Sequence, residues 1–179
     1  MNIEKVFEYE MDQELRLAIQ RLLVECFEES YPRERIYFKQ LPHFRLLALT
    51  EKNQLIGQVG LDYRVMNLNG MPIRVLGIID LCVSREARSQ GIGNLLLSEI
   101  ENFCEGKSID FLLLFADNKS FYLKKGYKSV ENKCKWLKIN EQNQTTFSIG
   151  SEVVNELMIK EMGNVKWQDG ELDLLGYLY

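Results

Sequence analysis

The chain has 179 residues, 46% of them hydrophobic, a net charge of −4 and one histidine. That length suits a single domain with a full core. An acidic balance without a lysine–arginine stripe argues against a nucleic-acid partner and is compatible with a cationic small molecule. The cysteines, Cys26, Cys82, Cys104 and Cys134, are widely spaced in apolar settings. With one histidine and no C-x-x-C pair, no metal is expected. No apolar run is long enough to span a membrane. The start, MNIEKVFEYE, lacks the basic lead and apolar core of a signal peptide. The expected location is therefore the cytoplasm, with the thiols reduced and mostly buried.

In chain order, Ile3 to Tyr9 alternates weakly as a first strand. Asp12 is placed to cap a helix whose apolar face is Leu15, Ile19, Leu22, Leu23, Cys26 and Phe27, ending before Pro32. A short second helix is expected over 33–41. Phe44 to Thr50 and Leu55 to Met66 read as strands. Asn67-Leu68-Asn69-Gly70 is a hairpin signal, and Met71 to Val83 returns. A helical stripe of Ile92, Leu95, Leu96, Ile100 and Phe103 follows. Asp110 to Ala116, Lys133 to Asn140 and Thr145 to Ile149 are further strands. Ser151 is placed to cap a helix carrying Val153, Val154, Leu157, Met158 and Met162. A tail over 163–179 ends the chain. No repeat or linker interrupts 1–179, which is expected to be one domain with 151–179 as a C-terminal helix and tail.

The chemistry concentrates in Leu76 to Ile100. A strand of the kind buried on both faces, broken only by Asp80, runs into Arg88-Ser89-Gln90-Gly91-Ile92-Gly93 and then a helix. The first amides of a helix lack internal partners and point outward with the positive end of the dipole. Gly91 and Gly93 keep side chains away from that backbone, so the loop can seat a pyrophosphate. It is not a Walker A loop, because no Lys-Ser/Thr follows. It is not the dinucleotide fingerprint either, because Leu96 stands where the third glycine would be.

The R-x-Q-G-x-G order after a strand ending L-x-V resembles the acetyl-CoA loop of the GNAT N-acetyltransferases. Phe121-Tyr122-Leu123-Lys124-Lys125-Gly126-Tyr127 resembles the later GNAT segment F-Y-x-K-x-G-F/Y. Four short features resemble the aminoglycoside 2'-N-acetyltransferase branch: the His43-led strand, the R-S-Q-G loop, Glu156 to Met158, and Trp167 to Gly170. The resemblance implies an α/β (α+β) GNAT fold, with a mixed, mostly antiparallel central sheet flanked by helices and strands splayed at the cofactor site. It also implies an enzyme moving an acetyl group from acetyl-CoA to a primary amine.

On that resemblance, Leu81, Cys82 and Val83 would pair with pantetheine. Arg88, Ser89, Gln90, Gly91, Ile92 and Gly93 would hold the pyrophosphate, and Asn118 would bond the pantetheine arm. Transfer needs a neutral amine, a stabilised oxyanion and a protonated leaving thiolate. Tyr122 is the candidate acid, the other reading being a ring packed beside Phe121. Its interval from Asn118 is shorter than is usual in the family. Asp80, alone among apolar neighbours, is the candidate base. The related branch has its carboxylate one residue earlier, so either a bulge turns Asp80 to the site or Asp80 makes an ion pair on the other face. Glu28, Glu29, Tyr31 and Trp167 are candidates for binding a cationic acceptor. Cys82 reads as core and His43 as a strand-edge residue. A homodimer is compatible with the sequence. A non-catalytic CoA-binding module and a protein N-acetyltransferase are the competing functions.

Overall fold

The computed structural model describes residues 1–28 and 31–179. They form two compact units, Met1–Asp62 with Ile78–Phe103 and Tyr63–Gly77 with Cys104–Tyr179. Two long strands, β3 (Leu55–Leu68) and β4 (Met71–Val83), contribute residues to both. That sharing is the ground on which one domain over 1–179 stays our proposal.

In the first unit, β1 (Asn2–Phe7) pairs antiparallel with β2 (Phe44–Leu49), and β2 pairs antiparallel with β3. Every residue of β2 is buried, as its apolar run FRLLAL requires, and Arg45 is carried inside with it. Helix α1 (Gln13–Phe27) begins where expected: the Asp12 carboxylate accepts from the Leu15 amide at 2.8 Å. Such a cap is worth about 1 kcal/mol. Its Ile19, Leu22 and Leu23 join Met11, Tyr31, Ile36, Leu47 and Cys82 in one core. Helix α2 (Ile92–Cys104) buries Ile92, Leu96, Leu97 and Ile100. Leu95, expected on that stripe, is instead 36% exposed. The buried face centres on the 92–96–100 row, and Leu97 is on its inner flank.

No helix forms over 33–41. Backbone carbonyls there are taken by guanidinium groups rather than by helical amides. Arg35 donates to the carbonyls of Tyr37 and Phe38, and the buried Arg45 donates to that of Ile36.

The second unit is a sheet in the order β6-β9-β5-β4-β3-β10-β7-β8. Its further strands are β5 (Phe111–Phe115), β6 (Lys128–Ser129), β7 (Lys133–Asn140), β8 (Thr145–Val153), β9 (Leu157–Glu161) and β10 (Glu171–Tyr177). β4 pairs parallel with β5 and β10 parallel with β7, while β3 pairs antiparallel with β10. Its core is built from Met66, Leu68, Ile73, Val75, Phe111, Leu113, Cys134, Leu157, Ile159, Leu172 and Leu174.

The expected helix from Ser151 is absent, and 151–179 carries the end of β8, then β9 and β10, in place of a helix and tail. β8 extends to Val153, the chain turns with the Leu157 amide on the Val154 carbonyl, and β9 follows. Leu157, Met158 and Ile159 are each fully buried, so three consecutive apolar residues are hidden on both faces, which a surface helix cannot do. The helical spacing arose from two strand ends and the turn between them. Beyond β10, the Tyr179 ring covers Gly77, where a Cβ would lie 2.1 Å from it. Arg64 packs 4.3 Å from the Tyr177 ring centre and 4.6 Å from that of Tyr179. No helix among the described residues is long and apolar enough to cross a membrane.

Candidate functional site

The glycine loop belongs to the first unit. After β4 the chain makes a single 3-10 turn at Arg85–Ala87 and reaches Ser89 with φ 62° and Gly91 with φ 81°. The Gly91 carbonyl accepts the helical bond of Leu95 at 3.0 Å, so the amides of Ile92, Gly93 and Asn94 lie in the open first turn of α2. Gly91 is exposed, and a Cβ added there meets no atom within 4 Å. Ser89 and Gln90 are exposed, with the Gln90 amide on the Glu86 carbonyl at 3.1 Å. Arg88 is exposed and its Nε donates to the Val83 carbonyl at 3.3 Å. The loop thus presents free backbone and a guanidinium side by side, the parts of an anion seat. Leu81 and Val83 are half-buried and Cys82 is buried.

Asp80 sits in β4 with φ 52°, left-handed backbone for a non-glycine residue. The two-residue turn Asn69–Gly70, with both φ positive, sets Leu68 opposite Met71. The Ser84 amide, however, donates to the Ile56 carbonyl, a register one residue further on. β4 therefore carries one extra residue, and Asp80 is where its backbone turns. Its carboxylate accepts from the Tyr31 hydroxyl at 2.9 Å and is raised above the ordinary aspartate range by burial, with Tyr31, Arg45 and Lys39 pulling it back. Tyr31 is buried, and burial together with Asp80 holds its phenol protonated.

Sequence reasoning missed the polar network behind Asp80. Arg45, 1% exposed, donates to Glu8 at 2.6 Å and to Gln58 Oε1 at 2.7 Å. Gln58, fully buried, donates through Nε2 to the Asp80 carbonyl and lies 3.7 Å from the Cys82 sulfur. Arg45 interrupting an apolar strand was the available signal, since a guanidinium is buried only with partners. His43, exposed just before β2, has its Nδ1 2.7 Å from the buried Asp62 carboxylate.

Cys26 of α1 is half-buried, with its sulfur 3.3 Å from the Val83 carbonyl. A hydrogen bond from Cys82 lowers its thiol to about 7, with burial opposing and Arg88 assisting. Glu28 is exposed and pairs with Arg85 at 2.6 Å. Glu29 lies outside the described residues.

In the second unit, Tyr122 is on the one-turn helix α3 (Ser120–Leu123). Asn118 starts that turn, its Oδ1 accepting from the Ser120 amide at 3.2 Å and hydroxyl at 2.7 Å, which leaves its amide nitrogen to donate elsewhere. The Tyr122 ring packs on Phe121 at 5.1 Å and on Tyr127 at 5.7 Å. Burial pushes its phenol up to about 12. Trp167 is partly buried, edge-on to Phe111 at 5.0 Å, and its indole donates to Asn132 at 2.9 Å. No group of three or more metal-ligating side chains occurs among the described residues.

Residues 8–130 match the family described as acetyltransferase (GNAT) domain. A search of the curated proteins found no match. Among solved structures, the chain resembles the GNAT family N-acetyltransferase YhbS from Escherichia coli in complex with CoA. The TM-score is 0.69 at 16% identity, over 96% of this chain and 88% of that one. Tetrahymena GCN5 matches with a TM-score of 0.59 at 15% identity, over 93% and 99%. A GCN5-related N-acetyltransferase from Anabaena variabilis matches at 0.61 and 18% identity over 75% of this chain, which spans 34% of that longer protein. At these identities the likeness concerns the fold. Together with the family match over most of its length and the open glycine loop before α2, it makes this chain a member of the GNAT acetyltransferase domain family, an N-acetyltransferase by class.

Proposed function

We propose that the protein transfers an acetyl group from acetyl-CoA to the primary amine of a small, cationic acceptor by direct attack. The exposed Gly91 backbone beside Arg88 supports the pyrophosphate seat, and a CoA complex is known for the YhbS fold neighbour. Ser89, Gln90, Ile92 and Gly93 complete that seat in our reading. Leu81, Cys82 and Val83 pair with pantetheine, with Asn118 as a further donor to its arm.

The observation that carries the catalytic reading is Asp80, a carboxylate raised by burial yet hydrogen-bonded by Tyr31. A base shifted toward neutrality can take the ammonium proton of an acceptor. The neutral nitrogen attacks the thioester carbon, the C–S bond breaks, the CoA thiolate takes the Tyr122 proton, and the proton left on the new amide nitrogen returns the Tyr122 phenolate to the phenol. The buried Asp62 and half-buried Asp80 carboxylates favour a cationic acceptor, with Glu28 and Tyr31 as further contacts. Glu29 and Trp167 stay in the proposal from sequence alone. Cytoplasmic location and a homodimer are also part of it. β8 ends the sheet order with Phe147, Ile149 and Val153 exposed, and its open backbone edge is one that a second antiparallel copy would cover.

Thiol release from acetyl-CoA, measured with polyamines, aminoglycosides and lysine peptides, tests the reading. Release with a polyamine or aminoglycoside supports it. Release with the peptides alone makes the enzyme a protein acetyltransferase. CoA binding without release for any amine makes it a binding module.

A further inference from the structure

The structure assigns Gln58 as a positioning residue for the acetyl transfer: its carboxamide clamps the left-handed backbone of Asp80 and so aims the Asp80 carboxylate. The inference rests on reading Asp80 as the base. Asp80 is a non-glycine residue at φ 52° inside a strand, a conformation that L side chains adopt at a cost and that must be held from outside. The extra residue in β4 leaves its carbonyl without its regular place in the ladder. Gln58 Nε2 supplies the donor.

The orientation of that carboxamide is set by chemistry. Arg45 Nη1 is only a donor, so the Gln58 atom 2.7 Å from it must be the acceptor Oε1, and the NH₂ group must face Asp80. Arg45 is in turn fixed by Glu8 at 2.6 Å and by the Ile36 carbonyl. Glu8, Arg45 and Gln58 are 5%, 1% and 0% exposed, so water does not compete for these bonds. The result is a rigid relay from β1's end through β2 and β3 to one peptide of β4. The other restraint on Asp80, the Tyr31 hydroxyl, acts on the carboxylate itself. Backbone and side chain are therefore held by separate donors.

Gln58→Glu isolates the clamp. It keeps an acceptor for Arg45 and replaces the donor to Asp80 with a carboxylate oxygen. We expect kcat to fall about 10- to 100-fold with the acetyl-CoA KM changed less than about threefold. The loss should disappear in an Asp80→Asn background, because a residue acting through Asp80 has nothing left to aim. Equal losses in both backgrounds, or none in the wild-type background, would overturn the positioning role while leaving Asp80 as the base. Wild-type turnover in Asp80→Asn would overturn the base reading and this inference with it. If Gln58→Glu does not fold, Gln58→Met carries the same cycle, judged by the same outcomes.

Discussion

Gly91→Asp separates the backbone demands of the loop from its proposed task. Gly91 has φ 81° and open space where a Cβ would go, so a side chain fits sterically and the cost is conformational. A residue other than glycine in left-handed backbone costs about 1–2 kcal/mol. For a chain of this size that is a fall in Tm of about 2–4 °C per kcal/mol. The aspartate adds a negative charge at the proposed pyrophosphate seat, and a separation of about 5 Å serves as the order-of-magnitude figure for the repulsion. Between effective dielectric constants of about 80 and 20, each phosphate charge adds roughly 1–3 kcal/mol of repulsion at that distance. Two charges give at least about 2 kcal/mol, a CoA affinity loss of about 30-fold or more. Gly91→Ala carries the backbone cost alone. Gly70→Ala, at φ 86° in the hairpin turn and equally open, is the control for strain away from the loop. Calorimetric titration with CoA, paired with thermal denaturation, reads both quantities. The loss in Gly91→Asp should shrink as salt is raised. Unchanged CoA affinity in folded Gly91→Asp would refute the pyrophosphate seat.

Tyr122→Phe should lower kcat by roughly 10²–10⁴-fold with little change in acetyl-CoA affinity. The phenol is pushed up to about 12, so it stays protonated throughout the ordinary assay range and contributes no alkaline limb there. Near-wild-type turnover in the folded variant would remove Tyr122 as the acid. Cys26, lowered to about 7, should be alkylated faster as pH rises from 6 to 8, with the thiolate about half formed near 7. Cys82→Ala removes the first cause of that shift, so the labelling midpoint should move up. An unmoved midpoint would show that Cys82 does not set it. Truncation after Gly163 removes β10, including Leu172 and Leu174, both fully buried. Each is worth about 1.5–3 kcal/mol of burial, so we expect unfolding by circular dichroism rather than a selective rise in the amine KM. A folded, truncated chain with only that KM raised would restore the tail to the acceptor site.

Legibility in the sequence followed the range of the interactions involved. The Asp12 cap, the Asn69–Gly70 turn and the glycine loop are each specified by residues within a few positions, and each is found where its chemistry demands. The C-terminal strands were not legible because Val153 to Met162 satisfies a helical spacing by accident. Only the partners β5 and β6, supplied by distant segments, show that Leu157–Ile159 needs burial on both faces. The segment over 33–41 failed for a related reason, since the bond that diverts the Ile36 carbonyl comes from Arg45 in β2. Asp80 was recognisable as an outlier in composition. Its one-residue register shift depends on β3 and cannot be read from β4 alone. Gln58 and Glu8 carried no local signal, because an isolated polar residue in a strand gains meaning only from the partner it meets.

β10 also sets a timetable for synthesis. It lies between β3 and β7, so Leu68 meets its partner Leu172 across more than half of the chain. The β7–β8 hairpin is local and can pair as soon as it leaves the ribosome, but its route into the sheet runs through a strand made later. At about 5–20 residues per second, β3 waits roughly 5–20 s for that partner. During this interval the edge of β3 that β10 will cover is a template for other extended chains. A nascent chain stalled before Glu171 would therefore present a chaperone with a half-built sheet, and release of the last strand would be the step that ends its client state.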